Sequence, residues 1–251
     1  MHGLSDVTLL LLIAHLLGDF QLCCDEENGK KWKASQTFRH VLTHLVLLLP
    51  VSAWLHIRGH SPAGWVLAFV LAGAHLLTER MSTTRAFFGY ENRTKIIYAM
   101  KQCIHVGLVM VLSEGVFYSD THGIHIPFST QHLRWILLFV LITKPANVFF
   151  HIFFSKYRLV PSPAEPTHIR YAVETEPGAG ALIGSLERIL SAVFLTVGQF
   201  GAIGLIYTAK SVARFKQIEE NRRFAEYYLI GTLYSILFVV ISYYLVIVGV
   251  I

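Results

Sequence analysis

The sequence predicts an all-α fold, a polytopic transmembrane helical bundle of about seven spans, with roughly six to eight compatible with the pattern. Three observations predict it. Apolar residues make up 54% of the 251 positions and charged residues only 15%. The apolar residues gather into runs of about twenty, enough at 1.5 Å per residue to cross roughly 30 Å of hydrocarbon. The Lys and Arg residues sit in the short segments between those runs. Backbone polar groups in lipid must pair within their own segment, so whatever crosses is helical.

The runs cover residues 4–22, 38–57, 63–80, 94–117, 132–154, 180–208 and 225–251. No Lys or Arg precedes the first and no small-residue cleavage site follows it, so it reads as a retained span. Lys30, Lys31 and Lys33 after the first run, and Arg85, Arg93 and Lys95 after the third, place those loops in the cytoplasm, whereas 118–131 carries no Lys or Arg. Continued alternation puts loop 155–179 inside but strands Lys210, Arg214, Lys216, Arg222 and Arg223 outside. Either one of the runs 132–154 and 180–208 does not cross fully or the number of spans differs from seven, and Pro145, Gly198, Gly201 and Gly204 mark where a break could lie. The segment 158–179 contains four prolines and no apolar period, which makes it a linker between an N-terminal bundle, 1–157, and a C-terminal transmembrane hairpin with a basic loop, 180–251.

A net charge of +5 belongs to these loops and argues for no nucleic-acid partner. Cys23, Cys24 and Cys103 lack C-x-x-C spacing and read as packing residues. The informative residues are polar ones inside the apolar runs. The first span holds His15 and Asp19 in "HLLGD", the second His40 and His44 in "RHVLTH", the third His75 and Glu79 in "AHLLTE", and the fourth Lys101 and His105 in "KQCIH". Residues four apart share one helix face. The pair comes late in span one, early in span two, late in span three and early in span four, so alternating direction brings all four to one depth in the cytoplasmic half.

Imidazole and carboxylate are ligands for first-row divalent metals, and ionisable groups are costly enough in lipid to mark a functional site. The expected metal ligands are His15, Asp19, His44, His75 and Glu79, with His105 next and His40 orienting a ligand; zinc is the expected ion. Interhelical hydrogen bonding and snorkelling at the interface are the plainer alternatives. His122, His125 and His132 fall in or beside the outer loop and read as surface residues.

"AHLLGDFQL", "KKWKAS", "RHVLTHLVLLL" and "AHLLTE" together resemble the DUF3307 family of bacterial membrane proteins, a domain with no assigned function. "GALIGSLERIL", "GQFGAIGLIYTAKSVARF" and "RFAEYYLIGTL" look like the tail of its longer members. The resemblance implies an all-helical, multi-pass protein of the bacterial inner membrane. It also implies a departure, since Lys101 stands where relatives tend to carry an acidic residue and Glu79 where Asp is usual.

Three functions follow. The first is a metal-dependent hydrolase of a lipid or isoprenoid, with Asp19 or Glu79 as general base and Lys101 stabilising an oxyanion or phosphate. The second is a metal-ion or proton transporter or channel; the outer halves of the first four spans look nearly all apolar, which favours one site over a path. The third is a membrane sensor or effector acting through a protein partner at the basic loop 209–223. Arg188, Lys210 and Arg214 are the candidate contacts to lipid headgroups or anions, the plainer reading of these charges being a structural ion pair made by Glu187; assembly as a homo-oligomer is compatible with all three functions.

Overall fold

The computed structural model describes residues 4–22, 34–59, 62–83, 90–118, 128–157 and 178–249. All elements among them are helical: α1 (Asp6–Leu16), α2 (Ala34–Gly59), α3 (Ala63–Thr83), α4 (Tyr90–Met110), α5 (Thr130–Ile142), α6 (Lys144–Phe153), α7 (Ala179–Thr196), α8 (Phe200–Ala213), α9 (Phe215–Glu220) and α10 (Arg222–Tyr243). Five stretches are long and apolar enough to cross a membrane: Phe38–Arg58, Lys95–Val116, Thr130–Phe153, Ala179–Thr196 and Arg222–Val248. Ala63–Thr78 and Phe200–Ala213 are shorter apolar helices. Large apolar side chains such as Phe69, Leu77, Val111 and Leu205 point outward. An apolar exterior of this extent requires lipid around it.

Three helix ends widen into π turns, Leu17–Gln21 after α1, Val111–Val116 after α4 and Tyr244–Val248 after α10. The first helix starts at Ser5, whose side chain accepts from the Thr8 amide. The chain divides into two compact units, residues 1–140 with the terminal Ile251, and 141–250. The sequence reading assigns 132–154 whole to the N-terminal bundle. The units instead part within it, so α6 packs with the C-terminal helices. The linker 158–177 lies outside the described residues.

In the first unit, α1 to α4 bury Val7, Leu11, Ala14, Leu48, Leu55, Leu67, Ala68, Leu71 and Val109 against one another. This core also sets the register of the polar residues. One helical turn from Leu11, Leu48, Leu71 and Val109 stand His15, His44, His75 and His105, and one turn further come the positions of Asp19, His40, Glu79 and Lys101. The four helices thus stack an apolar layer, an imidazole layer and a charged layer.

In the second unit, α7 and α8 form an antiparallel helical hairpin that turns at Gly198, whose φ of 68° is open mainly to glycine. Lys210 Nζ donates to Glu187 Oε2 at 2.8 Å, and Ser191 meets Tyr207 across the same pair. The single span expected over 180–208 is therefore corrected to a chain that enters and returns. Its return brings Lys210, Arg214, Lys216, Arg222 and Arg223 to the end of this unit that also holds Lys156, which removes the conflict with the positive-inside rule. The second predicted break is also present, since Thr143 separates α5 from α6 just before Pro145.

That break frees carbonyls at the end of α5, and Arg188 occupies them. Its guanidinium donates to Ile142 O, to Thr143 O at 3.4 Å and to Asn147 Oδ1 at 2.6 Å, and reaches Ser185 and Ser235. A side chain 2% exposed and so engaged caps a helix end; it is not placed to grip a headgroup, as the sequence reading expected. Arg188→Leu leaves those carbonyls unpaired in an apolar setting and should destabilise the second unit by about 2–4 kcal/mol. A lower thermal unfolding midpoint in detergent checks this.

Candidate metal centre

A buried carboxylate in a bundle of apolar helices is expensive unless its neighbours satisfy it. Asp19 is satisfied from all sides. It sits in the π turn that ends α1, and such turns recur at functional sites because they re-aim side chains. Its Oδ1 accepts from His44 Nε2 at 2.7 Å and has His40 Nε2 at 3.5 Å and His75 Nδ1 at 3.7 Å. Its Oδ2 accepts from Gln102 Nε2 at 2.8 Å and has His15 Nε2 at 3.8 Å and His105 Nδ1 at 4.0 Å. Five imidazoles from four helices therefore surround one carboxylate.

The rings are close-packed. His44 and His75 stack with centroids 3.6 Å apart, and His75 and His105 lie 3.8 Å apart. His15, His44, His75 and His105 are all buried. Gly18 makes this packing possible: a β-carbon built there would lie within 2.7 Å of His44 Nδ1. The Gly-Asp pair thus places the carboxylate and makes room for the ring that bonds it.

Hydrogen bonds outside the ring orient two of the histidines. The Thr78 hydroxyl donates to the helix carbonyls Ala74 O and His75 O, so toward His105 Nε2, 2.9 Å away, it acts as acceptor. That assigns the proton of His105 to Nε2 and the lone pair to Nδ1, the nitrogen facing Asp19. Gln102 donates through Nε2 to Asp19, so its Oε1 accepts from His15 Nε2 at 3.1 Å. His15 Nδ1 and His105 Nδ1 are buried without a hydrogen-bond partner among the described residues. Buried lone pairs with no proton donor are what a cation would complete.

Of the predicted ligands, His15, Asp19, His40, His44, His75 and His105 come together. Two groups of four, His15, Asp19, His75 and His105, and Asp19, His40, His44 and His75, each offer ligand atoms within 4.8 Å of one another. His40, expected more to orient a ligand than to be one, stands among them. Glu79 lies on α3 one turn beyond His75, but its side chain is outside the described residues. Lys101 is half-buried on α4, one turn before His105. Cys103 is exposed, as is His132; Cys23, Cys24, His122 and His125 are outside the described residues. In the second unit Lys210 is taken by Glu187 and lies over the Tyr228 ring, and Arg214 bonds Gln217.

Two features of the first unit are not legible in the spacing of its polar residues. Thr78 was not singled out because a threonine in an apolar run carries no signal until its histidine partner is known. The outer half of the bundle also proves less apolar than expected. Glu114 accepts from the Ser5 amide at 2.9 Å and from Thr8 Oγ1, which also reaches Ser113 Oγ at 2.8 Å. An ideal α-helix would turn Glu114 away from the face of His105; the π turn Val111–Val116 carries it round towards α1. A small cavity separates this group from the histidines, lined by Leu11, Leu48, Leu71 and Val109 with His15, His44, His75 and His105.

Two substitutions test the packing and the orientation. Gly18→Ala should cost about 1–3 kcal/mol by displacing His44, read as a lowered unfolding midpoint. Thr78→Val should weaken divalent-metal affinity about 10–100-fold while Thr78→Ser retains most of it, read by metal titration.

The model of the family described as "Protein of unknown function (DUF3307)" matches residues 7–143, a region that contains every histidine of the cluster and ends at the break between α5 and α6. No curated protein and no solved structure matches the chain. With more than half of its length matched over the helices that build the site, the chain belongs to the DUF3307 family.

Proposed function

We propose that this protein is a membrane metalloprotein of the bacterial inner membrane whose Asp19-centred cluster binds a first-row divalent cation, zinc foremost, and that it hydrolyses a lipid or isoprenoid substrate. The observation that carries the reading is one carboxylate with five histidine nitrogens within 4.0 Å, drawn from four helices and shielded from water. Imidazole-rich sets suit zinc and its first-row neighbours and do not suit magnesium or calcium. Interhelical hydrogen bonding alone would be served by far fewer histidines.

The ion would supply Lewis acidity and an activated water. The chain's own residues hold and orient it. Asp19 serves as a ligand, because both its oxygens face histidines. The role of general base then falls to Glu79, one turn towards the charged layer. Lys101, in the same layer and next to His105, provides a cation for an anionic group of the substrate. The charged layer lies on the side of the basic loops 23–37 and 81–95, so a headgroup reaches the site from the cytoplasmic face.

A metal-ion or proton transporter is the second reading, and the Thr8, Ser113 and Glu114 group favours it. Polar groups at a second depth in the same four-helix unit are what a pathway needs. Membrane lipids are partners in either reading, and the basic loop 209–223 is available to a protein partner in a sensor or effector role.

Elemental analysis of the detergent-purified chain tests the main proposal. We expect a bound transition metal in the wild type, lost in His44→Ala and His75→Ala, and release of product from phospholipid or isoprenyl diphosphate vesicles that stops when the metal is stripped. Protein that carries no metal and rebinds none overturns it. For the second reading, Glu114→Gln should slow metal or proton flux into proteoliposomes at least tenfold with metal content unchanged; unaltered flux, or none in the wild type, removes it.

A further inference from the structure

Resting on the metal-binding reading, we infer that the cluster holds two divalent ions and that the Asp19 carboxylate bridges them. The two oxygens of Asp19 face different histidines. Oδ1 is surrounded by His40, His44 and His75 at 3.5, 2.7 and 3.7 Å, and Oδ2 by His15 and His105 at 3.8 and 4.0 Å. Ligand atoms of a tetrahedral site with bonds of about 2.0–2.1 Å lie roughly 3.3 Å apart. Four of the five separations are longer than hydrogen bonds, and that of His40 at 3.5 Å lies nearest this spacing. A single tetrahedral ion uses four ligands. Six are present, and they fall into two groups of four that share only Asp19 and His75.

The sharing is what a bridged pair requires. A carboxylate reaching two ions, one through each oxygen, holds them about 3.5–4 Å apart, the spacing of two-metal hydrolytic sites. The two positions differ in character. With His75 on the Oδ1 side, the first ion has three imidazoles and one oxygen, a closed tetrahedral set; the second has His15, His105 and Oδ2, which leaves a coordination position open. That second set contains two buried nitrogens without a hydrogen-bond partner among the described residues, His15 Nδ1 and His105 Nδ1. His15 and His105 line the small cavity beneath Leu11 and Val109 together with His44 and His75, so it abuts both positions.

The Gln102 amide donates to Oδ2 and accepts from His15 Nε2, so the lone pair that His15 keeps for an ion is that of Nδ1. The described ligands bring one negative charge to two dications. The remaining positive charge, with Lys101 nearby, selects an anionic group, and a phosphate ester spanning both ions is the substrate class that fits.

The test is metal stoichiometry in the full-length, detergent-purified chain. Metal-stripped protein is titrated with Zn²⁺ and counted by elemental analysis, then loaded with Mn²⁺ for electron paramagnetic resonance. Two Zn²⁺ per chain and a spin-coupled Mn²⁺ pair are expected. His105→Gln should fall to one ion and lose the coupling, and Asp19→Asn should lose the coupling at the least. One ion per chain at saturation overturns the bridged pair and leaves the metal centre standing; none overturns both. Should a variant fail to fold, the wild-type count and spectrum decide alone.

Discussion

The cost of burying the Asp19 carboxylate is the constraint on which the first unit depends. An ionised carboxylate in an apolar bundle costs several kcal/mol unless charge or hydrogen bonding offsets it. Here the offset comes from residues far apart in sequence, His44 on α2 and Gln102 on α4, with four more imidazoles within 4.0 Å. The helices must be held close enough for these side chains to converge. The apolar layer of Leu11, Leu48, Leu71 and Val109, one turn away, provides that.

Local backbone chemistry serves the same end. The π turn at Leu17–Gln21 sets the direction of Asp19, and Gly18 lets the His44 ring approach the helix backbone. Thr78 uses its proton on its own helix and so keeps a lone pair of His105 directed inward. Each device serves the position of one ring or one oxygen, which is the demand a metal makes on its protein. Around the cluster, apolar side chains exclude water and strengthen every electrostatic interaction inside it.

The second unit answers a related problem differently. There the buried charge is a cation, Arg188, and its partners are mostly neutral backbone and side-chain oxygens exposed by a helix break. The buried carboxylate, Glu187, is matched by Lys210 across the α7–α8 turn. The buried charges of this unit are consumed in capping a broken span and pairing two helices. The first unit gathers nitrogen lone pairs round one carboxylate, and there the chemistry resides.

Much of this was determined by the sequence alone. The apolar runs prescribe membrane helices, and the four-residue spacing of His15 and Asp19, His40 and His44, and Lys101 and His105 prescribes one face and one depth, because helical period and span direction are local properties. The candidate breaks at Pro145 and Gly198 were legible for the same reason. Only the tertiary structure decided which oxygen of Asp19 meets which histidine, that Thr78 orients His105, that Glu114 turns inward, and that Arg188 caps a broken helix. Those outcomes depend on distances between helices and on one-residue changes of helical register, and neither is written in the spacing of any single segment.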